Sequence, residues 1–202
     1  MRFWQSEVLR HAETMRVIAG QFRSRTLKSL PGMELRPTSD RLRETLFDIL
    51  TAGNPQALEG SVWIDLYAGT GAVGIEALSR GAAMIYFVES APDAAELIRK
   101  NLNTLGIAAG FQVLRQDAVR ALEAWGKNGI QANFVFVDPP YRMEAAYAQT
   151  LAALSNSSYV LPGTIVVVEH QKKFDPGEQA ASLRRYRLLK QGDAALSFYR
   201  RG

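Results

Sequence analysis

The sequence predicts an α/β fold: a mixed seven-stranded sheet whose last strand is antiparallel, with a small β-hairpin and helix appendage at the N-terminal side. Three observations lead there. Short runs of β-branched and aromatic residues alternate with segments of helical periodicity, as in parallel sheets buried on both faces. Several of these runs end in an acid or a glycine turn, where open α/β sheets bind ligands. The chain closes with two strand-like runs, 183–190 and 194–199, about the turn residues Gln191, Gly192 and Asp193, which read as a hairpin.

The 202 residues suffice for one well-buried core, and 47% hydrophobic with 22% charged content describes a globular chain. No apolar run approaches the length of a membrane span, and the first ten residues show no signal-peptide pattern. Cysteine is absent, which excludes disulfides and thiolate chemistry, and His11 and His170 are too far apart in sequence to suggest a metal site. The expectation is a cytoplasmic monomer without metal. The net charge of +4 is unevenly spread: residues 16–43 and 184–202 each sum to +5, whereas 44–183 sums to −6. Basic ends brought to one face would make a footprint for a phosphate backbone.

In chain order, residues 1–14 read as an extension. Residues 15–55 form the appendage: a basic hairpin with Arg16, Arg23, Arg25 and Lys28, then a helix with Leu42, Leu46, Phe47 and Leu50 at helical spacing. The polar head of that helix presents Arg36, Thr38 and Arg41, side chains that bind anions or carbonyls. The main domain, 56–202, opens with a strand that ends near Asp65 or Leu66. Gly69, Gly71 and Gly74 follow in a G-x-G-x-x-G turn, and then a helix runs to Gly81. Taken alone the turn fits a dinucleotide. Asp65, an acid at the strand end just before the glycines, instead favours a cationic ligand. S-adenosylmethionine carries a sulfonium and an ammonium but no pyrophosphate. Ala68 and the glycines would let its amino acid part approach the backbone.

The next strand, 84–89, closes with Glu89, about twenty residues beyond the glycines, where an acid accepts ribose hydroxyls. Pro92 and Asp93 open a helix lined by Leu97, Ile98, Leu102 and Leu105. A third strand, 111–114, leads to Asp117 and Ala118, which would read the amine and a ring nitrogen of an adenine. The apolar run from Phe134 to Val137 goes straight into Asp138-Pro139-Pro140-Tyr141. Two prolines stop the strand and leave an acceptor carboxylate, rigid carbonyls and an aromatic ring at one crevice. That set suits a planar, amine-bearing base. Asp138 and the Pro139 carbonyl would accept the two amine hydrogens, turning the nitrogen lone pair toward an electrophile, while Tyr141 stacks on the ring. Residues 144–154 read as a helix and 164–168 as a buried strand.

With these motifs together, the chain resembles the class I methyltransferases that depend on S-adenosylmethionine. More closely, Arg16-Val-Ile-Ala-Gly20, Arg36-Pro-Thr-Ser-Asp-Arg-Leu-Arg-Glu44, Phe-Val-Asp-Pro-Pro-Tyr141 and Gly192-Asp-Ala-Ala-Leu-Ser-Phe-Tyr-Arg200 resemble the bacterial small-subunit ribosomal RNA guanine-N2 methyltransferases of the RsmD type. The resemblance covers residues 15–201. It implies a Rossmann-like fold and methyl transfer to N2 of one guanine in 16S rRNA, presented within the small subunit or an assembly intermediate. It also implies that Asp65, Gly69, Gly71, Glu89 and Asp117 hold the cofactor, and Asp138, Pro139 and Tyr141 the base. The RNA would lie on the basic hairpin with Arg36 and Arg41. Adenine-N6 methylation of DNA or RNA, and a non-catalytic RNA-binding assembly factor of the same fold, stay open as alternatives. A nicotinamide oxidoreductase ranks third, because no strand end offers a proton donor for hydride chemistry.

Overall fold

The computed structural model describes residues 15–29, 40–125 and 130–202. The extension 1–14 and the anion-binding residues expected at Arg36 and Thr38 lie outside the described residues. The elements are α1 (Asp40–Thr51), β1 (Val62–Leu66), α2 (Ala72–Ser79), β2 (Met84–Val88), α3 (Pro92–Thr104), β3 (Phe111–Leu114) and α4 (Ala118–Trp125). They continue with β4 (Ala132–Val137), α5 (Glu144–Ser155), β5 (Val160–Gln171), β6 (Gln179–Ala180), β7 (Leu183–Gln191) and β8 (Ala194–Arg201).

The strands form one sheet in the order β3-β2-β1-β4-β5-β8-β7-β6. β1 to β5 are parallel, and β8 returns antiparallel beside β5. The sheet therefore has eight strands where the sequence predicts seven. The addition is β6, whose two residues pair with Leu183 and Arg184 at the outer edge and are too few to show any hydropathy period. Strand order reverses between β1 and β4, which opens a crevice at their carboxyl ends.

Alternation along the strands divides the core in two. Trp63, Phe134, Phe136 and Val167 face one side with α1, α2 and α3. Ile64, Leu66, Val135, Val137, Val166 and Val168 face the other with α4 and α5. Trp63 is fully buried between Phe47 of α1, at 5.4 Å, and Phe134 of β4, at 4.8 Å. Each such pair adds about 0.5–1.5 kcal/mol beyond simple burial, so α1 is tied to the centre of the sheet. Leu42, Leu46, Phe47 and Leu50 are all buried, as their spacing predicts.

The predicted N-terminal hairpin is present in reduced form. One antiparallel bridge joins Arg16 to Thr26, flanked by backbone bonds between Val17 and Arg25 and between Leu27 and Met15. Its turn sits directly on the end of α2: the Gln21 N–H donates to the Ser79 carbonyl, and a Cβ on Gly20 would lie 1.8 Å from that same oxygen. Only glycine fits there, at a backbone φ of 79°. Behind the turn, the buried Glu76 carboxylate accepts the N–H groups of Ile18 and Ala19 at 2.7 and 3.0 Å and binds Arg80 at 2.7 Å. Arg43, also fully buried, lies 3.9 Å from Glu76 and 2.8 Å from Asp40. Asn101 of α3 completes the docking by accepting from the Lys28 N–H while donating to the carbonyls of Lys28 and Thr70.

Candidate active site

A cavity of about 600 Å³ opens at the carboxyl ends of β1, β2, β3 and β4. Asp65, Ala68 and Gly69 from the first strand end line it, with Glu89 from the second, Asp117 from the third, and Asp138 and Pro140 from the fourth. Four motifs spread over more than seventy residues thus meet at one place, because the four strands that end in them are neighbours in a parallel sheet.

The glycine turn is held by the acids around it. Asp65 is almost completely buried, and its Oδ2 accepts the Gly74 N–H at 2.9 Å. Glu89 uses Oε2 to accept the Gly69 N–H and Oε1 to accept the Ala91 N–H, at 2.9 and 2.8 Å. This bridges the first strand end to the start of α3. Gly71 lies at the start of α2 with φ 78° and donates to the Ala68 carbonyl. Gly74 is needed for close approach: a Cβ there would come within 2.3 Å of the Phe87 ring in β2. Asp117 Oδ1 accepts the Arg120 N–H and so caps α4, whose first residue, Ala118, is buried beneath it.

Burial pushes the Asp65 carboxyl up to about 8, opposed by the Gly74 N–H and reinforced by the nearby Asp138 and Glu89 charges. With Asp93 and Asp117, five carboxyl groups line the cavity against one cationic side chain, Arg142, among the described residues. Such a set repels a pyrophosphate and favours a ligand carrying positive charge. S-adenosylmethionine fits: Asp65 would take its ammonium end, Glu89 its ribose hydroxyls and Asp117 its adenine.

The Asp138–Tyr141 segment is fixed on both sides. The Asp138 N–H reaches the Leu66 carbonyl of β1 at 3.4 Å, and the Met143 N–H closes a turn on the Pro140 carbonyl at 2.7 Å. Pro139 is buried, and its carbonyl accepts the hydroxyl of Tyr147 at 3.3 Å. The segment divides two cavities. Asp138 and Pro140 face the acidic one, whereas Tyr141 lines a neighbouring space with Gln171, Lys172, Lys173, Lys190 and Asp193. The carboxylate and ring expected at one crevice thus lie on two adjoining ones, because the Pro140 turn carries the chain over the edge between them.

Sequence reasoning missed several of these residues. Met15 lines the cavity through the hairpin's docking on the glycine turn, where the Thr70 hydroxyl meets its sulfur at 3.4 Å. Tyr67 lines it with φ 59°, an unusual conformation for a non-glycine, and its hydroxyl is 2.8 Å from that of Thr150. Its place directly between strand and glycines was the available signal. Of the predicted RNA-binding residues, Arg16, Arg23, Arg25, Lys28 and Arg41 are exposed. Arg16 lies 3.5 Å from Asp40, and Arg25 donates to the Thr104 carbonyl.

Comparison with known proteins places the chain in a family. Residues 15–200 match the family model described as Conserved hypothetical protein 95. The chain is 33% identical to the ribosomal RNA small subunit methyltransferase D of Escherichia coli, over 93% of this chain and 90% of that one. The solved structure of the Escherichia coli protein yhhF superposes with a TM-score of 0.79 at 31% identity, covering 93% of this chain and 98% of that one. A more distant methyltransferase-fold structure, solved with S-adenosylhomocysteine, shares the fold at a TM-score of 0.61 and 11% identity, over 82% of this chain and 50% of that one. The chain belongs to the small-subunit ribosomal RNA methyltransferase D family, and is a class I methyltransferase that uses S-adenosylmethionine.

Proposed function

We propose that this protein methylates the exocyclic N2 of one guanine in 16S rRNA, presented in the small ribosomal subunit or an assembly intermediate. The observation that carries the reading is the position of Asp138. Its carboxylate lines the same cavity as Asp65, Glu89 and Asp117, and is close enough to Asp65 to raise that residue's pKa. That position supports reading Asp138 as an amine acceptor beside the cofactor. The relative from Escherichia coli named for ribosomal RNA supports the substrate class.

When bound, S-adenosylmethionine supplies an electrophilic methyl group. A guanine amine is a poor nucleophile, since its lone pair is delocalised into the ring. Asp138 and the Pro139 carbonyl accept its two N–H groups and rotate the lone pair out of conjugation. The Pro139 carbonyl retains a second lone pair for this while it holds the Tyr147 hydroxyl. The methylated amine loses its extra proton to solvent or to Asp138. Catalysis is then mainly a matter of position. Tyr141 stacks on the flipped base, an interaction worth about 1–3 kcal/mol that offsets the cost of extrusion. Arg16, Arg23, Arg25, Lys28 and Arg41 contact phosphates on the appendage, with Arg36 and Thr38 in the same role. In this reading 15–55 serves RNA docking and 56–202 the transfer.

The test is transfer of tritiated methyl from S-adenosylmethionine to small subunits from a strain lacking the gene, followed by nucleoside analysis. N2-methylguanosine at one site is the expected product; N6-methyladenosine, or no label despite cofactor binding, overturns the reading. Asp138→Ala should abolish turnover while cofactor binding persists, and retained activity would sink the role given to Asp138.

A further inference from the structure

The second cavity, of about 670 Å³, has a different character from the first. Three lysines, Lys172, Lys173 and Lys190, and one acid, Asp193, line it beside Tyr141 and Gln171. Its position follows from the sheet. Val137 of β4 pairs with Val168 of β5, so the chain leaving β5 at Gln171 runs alongside the segment that leaves β4 at Asp138. Ala194, the first residue of β8, pairs with both Gln171 of β5 and Gln191 of β7. One strand start thus clamps the ends of two others. The Lys172 N–H donates to the Asp193 carbonyl at 2.8 Å, which fixes the corner. Lys172 and Lys173 stand on one side of it and Lys190 on the other, all three exposed.

We infer that this corner binds the phosphates of the single-stranded RNA immediately flanking the methylated nucleotide, with Lys172, Lys173 and Lys190 as the contacts. The inference rests on the function proposed above. Asp138 and Pro140 face the cofactor cavity while Tyr141, next in sequence, faces the lysines. A nucleotide whose base reaches Asp138 must have its backbone continue past Tyr141, and that path enters the lysine corner. Lysine suits the task, because a strand pulled out of its helix presents phosphates at variable angles and an ammonium binds as a point charge without a fixed fork. The acids of the first cavity repel the same backbone, so the base enters there and the phosphates do not.

The experiment compares the wild-type protein with a K172A/K173A/K190A variant and with K172R/K173R/K190R, which keeps the charge. Affinity for a mixed-sequence single-stranded RNA oligonucleotide is measured by anisotropy across a salt series, and methyl transfer to small subunits is measured as KM and kcat. Each lost single-strand phosphate contact should reduce the slope of log affinity against log salt by about 0.7, so the alanine variant should lose about 2 in slope. Its KM for the subunit should rise roughly tenfold or more with kcat within about twofold, as expected when contacts made equally in ground and transition states are removed. Cofactor affinity should be unchanged, which also shows the fold is intact, and the arginine variant should keep the wild-type slope. A slope unaltered in the alanine variant overturns the inference, as does a loss in kcat at constant KM. The two readings fail separately. Wild-type protein that labels no ribosomal RNA but loses slope on lysine removal refutes the substrate and leaves the phosphate site standing. Normal labelling with an unchanged slope refutes the phosphate site alone.

Discussion

If Asp65 takes the ammonium of the cofactor, as proposed, cofactor affinity should depend on pH in a way that can be worked out in advance. Without ligand its carboxyl sits at about 8, because burial and the charges of Asp138 and Glu89 disfavour the anion. A bound ammonium beside it favours the anion and returns the group to the ordinary carboxylate range. Binding therefore releases a proton, and affinity must rise with pH until the free protein is itself ionised. At pH 7 only about one site in eleven carries the charge, so the dissociation constant should be roughly tenfold weaker than the value reached near pH 9, about 1.4 kcal/mol. Titration calorimetry with S-adenosylmethionine from pH 6 to pH 9 should give a slope near one log unit per pH unit below about pH 8. Repeating the pH 7 titration in two buffers of different ionisation heat should show about 0.9 proton released. Asp65→Asn should bind weakly with no such slope, and Asp138→Asn should move the wild-type curve to lower pH by removing a repelling charge. A flat wild-type profile, or the same slope in Asp65→Asn, would refute the assignment. The sign for stability is the reverse. The folded chain keeps a proton that the unfolded chain loses above about pH 4, so the ligand-free protein loses stability as pH rises from there through about 8.

Two further substitutions test the packing that shapes the site. Gly74→Ala places a methyl 2.3 Å from the Phe87 ring and 2.8 Å from Ile85; overpacking should cost about 1–3 kcal/mol, partly offset by alanine's better helix propensity, and thermal denaturation should show a Tm lower by several degrees. Glu76→Gln removes the buried charge shared by Arg43, Arg80 and two backbone N–H groups; a loss of about 3–5 kcal/mol, read as a lower urea midpoint at unchanged slope, is expected.

Much of the fold was written locally. Strand runs such as 84–88 and 111–114 are short, apolar and bounded by turn residues, and the spacing of Leu42, Leu46, Phe47 and Leu50 admits only a helix. What stayed hidden was short or non-local. α4 presents only Ala118, Ala121, Leu122 and Trp125 inward, a pattern diluted by two alanines and obscured by the acid that opens it. β5 begins at Val160, before Pro162 and Gly163, because a register shift opposite Ala132 and Phe134 absorbs the irregular residues. At the site, Asp65, Glu89, Asp117 and Asp138 could be placed on one cavity because each lies at or just past the end of a strand: Asp65 is next to last in β1, Glu89 and Asp138 directly follow β2 and β4, and Asp117 comes three residues after β3. Arg43 was not: an arginine on a polar helix head gives no sign that Glu76, thirty-three residues later, will meet it in the interior. Nor could the sequence bring Tyr141 to Lys172 and Lys190, since that meeting depends on strand register.

The docking of the hairpin has a consequence for the protein as a cooperative object. Met15, Val17 and Leu27 share a core with α1, α2 and Trp63, and Asn101 stitches Lys28 to the glycine turn. Among the described residues, no plane of polar, weakly packed surface separates the basic hairpin from the sheet and the glycine turn. The two should therefore melt in one transition, and a graft of the hairpin onto another scaffold would have to bring the matching face of α2 and α3 with it.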